Sequence, residues 1–303
     1  MLKGLPDAVT IVEVGPRDGL QNEKAVVPTA QKIAFVDRLT AAGHRAIEVS
    51  AFVSPRWVPQ MGDATEVFAG IIRKDGVRYS ALVPNRAGLD RALAAGVREI
   101  AIFGAASETF SRKNINQSID ESFLIFRQVT DAAMQSGLRV RAYLSTSFGC
   151  PFEGPVDPAR VIDLSDRLLQ LGAYEVAVSD TIGIAHPGQV SRLLDDLLPR
   201  VPVNRLALHF HDTRGTALAN VLAALAHGVA TFDSSAGGLG GCPYAPGAAG
   251  NLATEDLVYM LDGLGIETGV SLQGVVEASA SIAGAIGHSL PSRYVQALPN
   301  SRA

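Results

Sequence analysis

The chain has 303 residues, of which 47% are hydrophobic and 18% charged, and a formal net charge of −4. Its lysines and arginines are scattered, which excludes the basic face of a nucleic-acid binder, and no apolar run reaches membrane-spanning length. Two cysteines, Cys150 and Cys242, do not make a disulfide framework, and residues 1–6 lack the apolar stretch of a signal peptide. A reducing cytoplasm is the expected setting.

Short β-rich runs alternate with longer helical patterns along the whole chain. Strands are predicted over residues 9–14, 46–52, 78–83, 99–103, 139–145, 175–178, 205–210 and 230–233. Helices are clearest over 29–42, 119–135, 158–171, 187–198 and 216–227. Eight strands alternating with helices imply a parallel sheet under a helical layer, and eight is the number that closes a (β/α)8 barrel. No G-x-G-x-x-G turn follows the first strand, which disfavours an open dinucleotide-binding sheet. One barrel domain over residues 1–303 is expected, loosely ordered after about residue 293.

Working residues of such barrels sit at the C-terminal ends of strands. The first strand ends in Gly15-Pro16, which breaks it and presents Arg17 and Asp18 at its top. The seventh ends in His209-Phe210-His211; alternation puts both imidazoles on one side, a ready pair of metal ligands. In a closed ring the first strand neighbours the eighth and the eighth the seventh. Asp18, His209, His211 and Asn251 therefore fall on one arc, with Glu48 on the second strand placed to orient Arg17 or a ligand. Two imidazoles, a carboxylate and an amide oxygen, without a thiolate, suit a hard divalent cation, Mg²⁺ or Mn²⁺. Asp180 tops the sixth strand beside the histidines; on pattern alone it serves equally as a turn or helix cap. After the eighth strand, Ser235-Ala236-Gly237-Gly238-Leu239-Gly240-Gly241-Cys242-Pro243 reads as a mobile glycine-rich lid carrying a reactive thiol. Cys150 reads as a packing residue, and His44, His186, His227 and His288 as structural.

A cation polarising substrate oxygens, an arginine beside it and a thiol above suit the making or breaking of a carbon–carbon bond next to a carbonyl. The stretch from Glu13 to Lys24, with residues 52–61, 103–108 and 233–261, resembles the hydroxymethylglutaryl-CoA lyase family over nearly the whole chain. That resemblance implies a metal-dependent (β/α)8 lyase cleaving 3-hydroxy-3-methylglutaryl-CoA to acetyl-CoA and acetoacetate, in leucine breakdown, working as a homodimer or larger assembly. Position by position, it makes Asp18, His209, His211 and Asn251 the metal ligands and Arg17 the group that stabilises the enolate. Glu48 becomes its support, Cys242 a proton-transfer group, Asp180 a catalytically important carboxylate, and His209 or Asp18 the base. The chain departs from the family at Arg214, where tyrosine is usual, at Ser235–Leu239, at Ser145–Phe148 and at Ser179. These departures bear on the acyl group, so a different 3-hydroxy-3-alkylglutaryl-CoA is the alternative substrate. A condensing acyltransferase of the same superfamily is the more distant reading.

Overall fold

A computed structural model describes residues 4–240 and 250–298. Its strands are β1 (Thr10–Glu13), β2 (Ala46–Ala51), β3 (Arg78–Leu82), β4 (Glu99–Ala105), β5 (Arg139–Ser145), β6 (Glu175–Asp180), β7 (Leu206–Phe210) and β8 (Thr231–Ser234). They pair in parallel in chain order, and β8 closes on β1 with Val12 level with Asp233, so the ring is complete. The expected barrel is borne out. Strand ends move by a few residues: β6 runs on to Asp180 and β8 to Ser234.

Helices α1 (Thr29–Ala41), α2 (Ala64–Gly70), α3 (Arg86–Ala94), α4 (Glu108–Ile115), α5 (Ile119–Gln135) and α6 (Pro158–Gln170) cover the first half of the ring. The second half is covered by α7 (Pro187–Leu197), α8 (Ala217–Leu225), α9 (Thr254–Leu264), α10 (Leu272–Ile286) and α11 (Arg293–Gln296). Local chemistry sets their ends. Ser118 caps α5 by accepting from the Glu121 amide, and the Glu121 carboxylate accepts from the Ser118 amide in return. The stretch after Arg293, expected to be loosely ordered, continues as α11 and on to Leu298. Asp256 on α9 holds it by accepting from Ser292 Oγ and the amides of Arg293 and Tyr294.

Side-chain alternation divides the strands into two environments. One set, including Ile11, Ile47, Val49, Ile100, Ile102, Val140, Leu144, Val176, Val178, Leu206, Leu208 and Phe232, joins the large core cluster between sheet and helices. The other set faces the lumen. There Val12, Val14 and Ala46 form a small apolar cluster of their own. Above and beside it lie Glu48, Arg141, Tyr143, Glu175, His209 and Asp233, all buried. The interior of this barrel is thus largely a hydrogen-bonded polar assembly, where most such barrels stack aliphatic side chains.

Gly43 and Gly137 follow α1 and α5 with φ of +100° and +76°. A Cβ on Gly43 would lie 2.3 Å from the Gly269 carbonyl oxygen, whereas one on Gly137 meets nothing within 4 Å. Gly43→Ala should therefore cost about 2–3 kcal/mol in urea unfolding, against about 1 kcal/mol for Gly137→Ala. Equal costs would mean that the backbone yields at residue 43.

Candidate active site

The chain leaves β1 through a wide helical turn, Gly15–Gly19, in which the amides of Arg17, Asp18 and Gly19 all donate to the Val14 carbonyl. That turn brings Arg17 and Asp18 over the lumen. Arg17 is 7% exposed; its Nη1 donates to Asp18 Oδ1 at 2.5 Å and its Nε to Glu48 Oε1. Burial disfavours the charged form of Asp18, but Arg17, then His209 and His211, outweigh it and hold the carboxyl well below the usual carboxylate range. Its Oδ2 accepts from Asn251 Nδ2 at 2.9 Å, across the seam between the loops that follow β1 and β8.

His209 lies next to the end of β7, and His211 follows the strand, bridged through its backbone to Asn251. The two imidazole centroids are 5.3 Å apart. One ligand atom from each of Asp18, His209 and His211 can be chosen so that all lie within 4.8 Å of one another. Burial, then His209, pushes His211 down to about 4 against the pull of Asp18, so its ring is neutral at physiological pH, as a ligand must be. Its Nδ1, and Oδ1 of Asn251, are buried with no hydrogen-bond partner among the described residues. Buried polar atoms are normally paired, and a cation is the partner that suits both. The four residues expected from the sequence to act as ligands are thus brought together in this structure.

Beneath them runs the polar assembly of the lumen. Glu48 Oε2 accepts from the Tyr143 hydroxyl, and Arg141 Nη1 donates to the Tyr143 oxygen at 2.9 Å. Arg141, 2% exposed, also donates Nε to Glu175 at 2.7 Å and Nη2 to Asp233 at 2.7 Å. Asp233 Oδ2 lies 3.3 Å from His209 Nδ1. Two guanidiniums, Arg17 and Arg141, face four carboxylates, Asp18, Glu48, Glu175 and Asp233, a formal excess of two negative charges. Glu48, expected to orient Arg17 or a ligand, contacts Arg17, but the sequence reading did not find Tyr143, Arg141 or Asp233. Their signal was available: a charged side chain inside a run that reads as a buried parallel strand needs partners of opposite sign.

Asp180 does not join the converging ligands. Its oxygens accept from the Ile184 and Ala185 amides at 3.0 and 2.9 Å, shaping the turn after β6. Three of the four departures from the family resemblance meet at this turn. Arg214 Nη1 donates to the Ile182 and Gly183 carbonyls, Thr146 donates its amide to Thr181 Oγ1, and the Ser147 amide donates to the Ser179 carbonyl. Cys150 is buried and its sulfur accepts from Ser107 Oγ at 2.9 Å, a packing role as expected. Cys242 and the rest of residues 241–249 lie outside the described residues.

Two buried carboxylates hold the start of the glycine-rich loop. Glu13 Oε1 accepts from the amides of Gly15 and Ala236, and Oε2 from Thr254 Oγ1, which ties three chain segments at one point. Glu255 accepts from the Gly237 amide and from Ser279 Oγ. The His44 Nε2 lies 3.7 Å from Glu13 Oε2, and burial pushes His44 down to about 3.

Fold and site together define a (β/α)8 barrel whose mouth brings an Asp–His–His group within reach of a single ion. Comparison with known proteins narrows the class. A family model described as HMGL-like matches residues 8–282. The 3-hydroxy-3-methylglutaryl-CoA lyase named cytoplasmic from Rattus norvegicus is 53% identical over 296 residues, covering 98% of this chain and 86% of the relative. The hydroxymethylglutaryl-CoA lyase named mitochondrial from Bos taurus is 54% identical over 292 residues, covering 96% and 90%. A solved structure of hydroxymethylglutaryl-CoA lyase from Pseudomonas aeruginosa superposes with a TM-score of 0.95 at 53% identity, covering 97% of this chain and 98% of that one. The chain belongs to the HMGL-like family.

Glu13 gives a pH dependence that can be measured. Burial raises its pKa from 4.5 to about 7, despite the hydrogen bonds from Ala236, Thr254 and Gly15 that lower it. Above pH 4.5 the unfolded chain has lost a proton that the folded chain keeps, so Glu13's favourable contribution is complete below that pH and is lost by about 7. The difference corresponds to about 3 kcal/mol. Glu255, raised by burial to about 6, acts in the same direction. Glu13→Gln should flatten most of the decline in chemical-denaturation stability between pH 5 and 8 and leave the part due to Glu255. A variant whose profile parallels that of the wild type would show that Glu13 does not titrate in this range.

Proposed function

We propose that this protein is a divalent-cation-dependent lyase that cleaves 3-hydroxy-3-methylglutaryl-CoA into acetyl-CoA and acetoacetate. The observation that carries the reading is the convergence of Asp18, His209 and His211 beside the Arg17 guanidinium, in a family with relatives named as lyases of that thioester. Asn251, with its unpartnered Oδ1, is the fourth ligand in this reading. The donor set of imidazole, carboxylate and amide oxygen favours Mg²⁺ or Mn²⁺, and a dication balances the lumen's formal excess of two negative charges. Bound there, it would hold the substrate's C3 hydroxyl beside an acyl oxygen and make that hydroxyl a stronger acid.

The residues divide the remaining work. His209 has Nδ1 engaged by Asp233, so its other nitrogen can ligate or take a proton, not both. Asp18 keeps lone pairs beyond those that Arg17 and Asn251 engage, and it accepts the C3 hydroxyl proton. The C3–O bond becomes the ketone of acetoacetate as the C2–C3 bond breaks, and that electron pair passes to C2 as the enolate of acetyl-CoA. Arg17 stabilises the enolate oxygen. Its Nε and Nη1 are taken by Glu48 and Asp18, and Nη2 has no hydrogen bond among the described residues. Cys242 then gives C2 its proton. Asp180 supports the turn that closes the histidine side of the mouth. A homodimer or larger assembly belongs to this reading on the family resemblance, as do leucine breakdown and a cytoplasmic setting on sequence grounds. Among the described residues no helix is long and apolar enough to cross a membrane.

The deciding experiment is acetoacetate release from 3-hydroxy-3-methylglutaryl-CoA by protein loaded with Mg²⁺ or Mn²⁺, with 3-alkyl analogues alongside. Turnover that a chelator abolishes and either ion restores is expected; no cleavage of any of these thioesters by the metal-loaded enzyme would end the reading. Arg17→Gln should lower kcat by about 10²–10³-fold with KM little changed. Arg214→Tyr, which releases the Ile182 and Gly183 carbonyls, should alter the ranking of the analogues. An unchanged ranking would remove Arg214 from substrate selection.

A further inference from the structure

Asp233 is one of the charged groups of the lumen to which the proposed reaction gives no chemical step. It lies on β8 level with His209 on β7, is 1% exposed, and has Oδ2 3.3 Å from His209 Nδ1. A carboxylate only accepts, so a hydrogen bond between these atoms requires the ring proton on Nδ1. Asp233 is itself held from the far side. Arg141 donates Nη2–H to Oδ1 at 2.7 Å and Nη1–H to Oδ2 at 3.2 Å, and is fixed in turn by Glu175 and by the Tyr143 oxygen. The second imidazole has no such support. His211 Nδ1 is buried with no partner among the described residues, and the bridge to Asn251 is made by its backbone.

We infer that Asp233, gripped by Arg141, is a positioning residue that fixes His209 as its Nδ1–H tautomer and leaves Nε2 bare as a preformed cation ligand. The inference rests on the proposal that His209 ligates the cation. Its physical content is that a ligating imidazole must have a lone pair on the nitrogen that meets the ion, and a free neutral ring has no fixed choice of nitrogen. The choice is made here before any ion arrives, by a hydrogen bond, at a place where no solvent can compete for the proton. His211 takes its tautomer when the ion binds.

Asp233→Asn tests this because it changes one atom and reverses the choice. Arg141 Nη2 makes the shorter of its two bonds to Oδ1, so the amide oxygen stays there and the amide nitrogen takes the place of Oδ2. That nitrogen is a donor, so Nδ1 must accept and the ring proton moves to Nε2, where it blocks the ion. The measurements are ¹⁵N–¹H correlation spectra of histidine-labelled, metal-free protein and calorimetric titration with Mn²⁺, with circular dichroism as a check on folding. In the wild type the His209 proton should be found on Nδ1; in Asp233→Asn it should be on Nε2, with the His211 signals little changed. Mn²⁺ should then bind about 10–100-fold more weakly.

A wild-type His209 carrying its proton on Nε2, or an Asp233→Asn protein with wild-type tautomer and Mn²⁺ affinity, overturns the inference. If Asp233→Asn does not fold, Arg141→Lys takes its place, since it keeps the charge and loses the two-pronged hold. A mixture of His209 tautomers is then expected, and a single Nδ1–H form with wild-type Mn²⁺ affinity overturns Arg141's part. His209→Ala separates the two levels: undiminished Mn²⁺ binding there defeats the ligand assignment itself, whatever the tautomer.

Discussion

The structure depends most on one buried guanidinium. Arg141 stands in the lumen at 2% exposure, where an unpaired charge would be prohibitive, and it is held by Glu175, Asp233 and the Tyr143 oxygen. From Tyr143 the chain of hydrogen bonds rises through Glu48 to Arg17 and Asp18, and from Asp233 it rises to His209. Both arms of the site thus start from the same side chain. An aliphatic lumen would make a more stable barrel at less risk, but it would offer no rigid polar base to hold Arg17, Asp18 and His209 in place.

The polar interior is affordable because the apolar work is done elsewhere. Large aliphatic residues of the strands pack outward against the helices, in a cluster that includes Phe35, Leu39, Val129, Leu168, Leu194, Val221 and Leu257. That layer holds the ring closed, so the lumen needs only complementary charge. At the β1–β8 seam the same division recurs. Glu13 and Glu255, both buried, anchor the amides of Ala236 and Gly237 at the start of the loop that leaves β8. The glycine-rich loop therefore departs from a fixed point.

The fold was legible because a (β/α)8 ring writes itself as eight repeats of one hydrophobic pattern, and small errors at strand ends leave ring order intact. Ring order alone placed Asp18, His209, His211 and Asn251 on one arc. The short helices α2 and α4 were not found, because they lack the long amphipathic period; α3, signalled by the glycine stop at Ala95-Gly96, is also marked by its cap, Asn85, which accepts from the Gly88 amide. Arg141, Tyr143 and Asp233 were missed for a different reason. The charges of Arg141 and Asp233 stood out inside strand runs, but nothing local names their partners, because these two meet across the ring, 92 residues apart. Arg214 shows what a pattern comparison leaves out. In the sequence it stands only as a departure from the usual tyrosine, whereas in the structure its Nη1 donates to the Ile182 and Gly183 carbonyls.

The seam also has a consequence for the order of events during synthesis. Asp18 meets Asn251 across 233 residues of chain, and Glu13 meets Thr254 across 241. Contacts of such separation form late, because the loop entropy they must overcome is repaid only when the intervening elements are in place. A nascent chain that has emitted its first strands holds Arg17 and Asp18 without histidines, and one that has reached β7 holds histidines without Asn251. The proposed cation site is accordingly a closing clasp: Asp18 and Asn251 meet when the two ends of the barrel find each other, and an ion bound there would stabilise the closed ring.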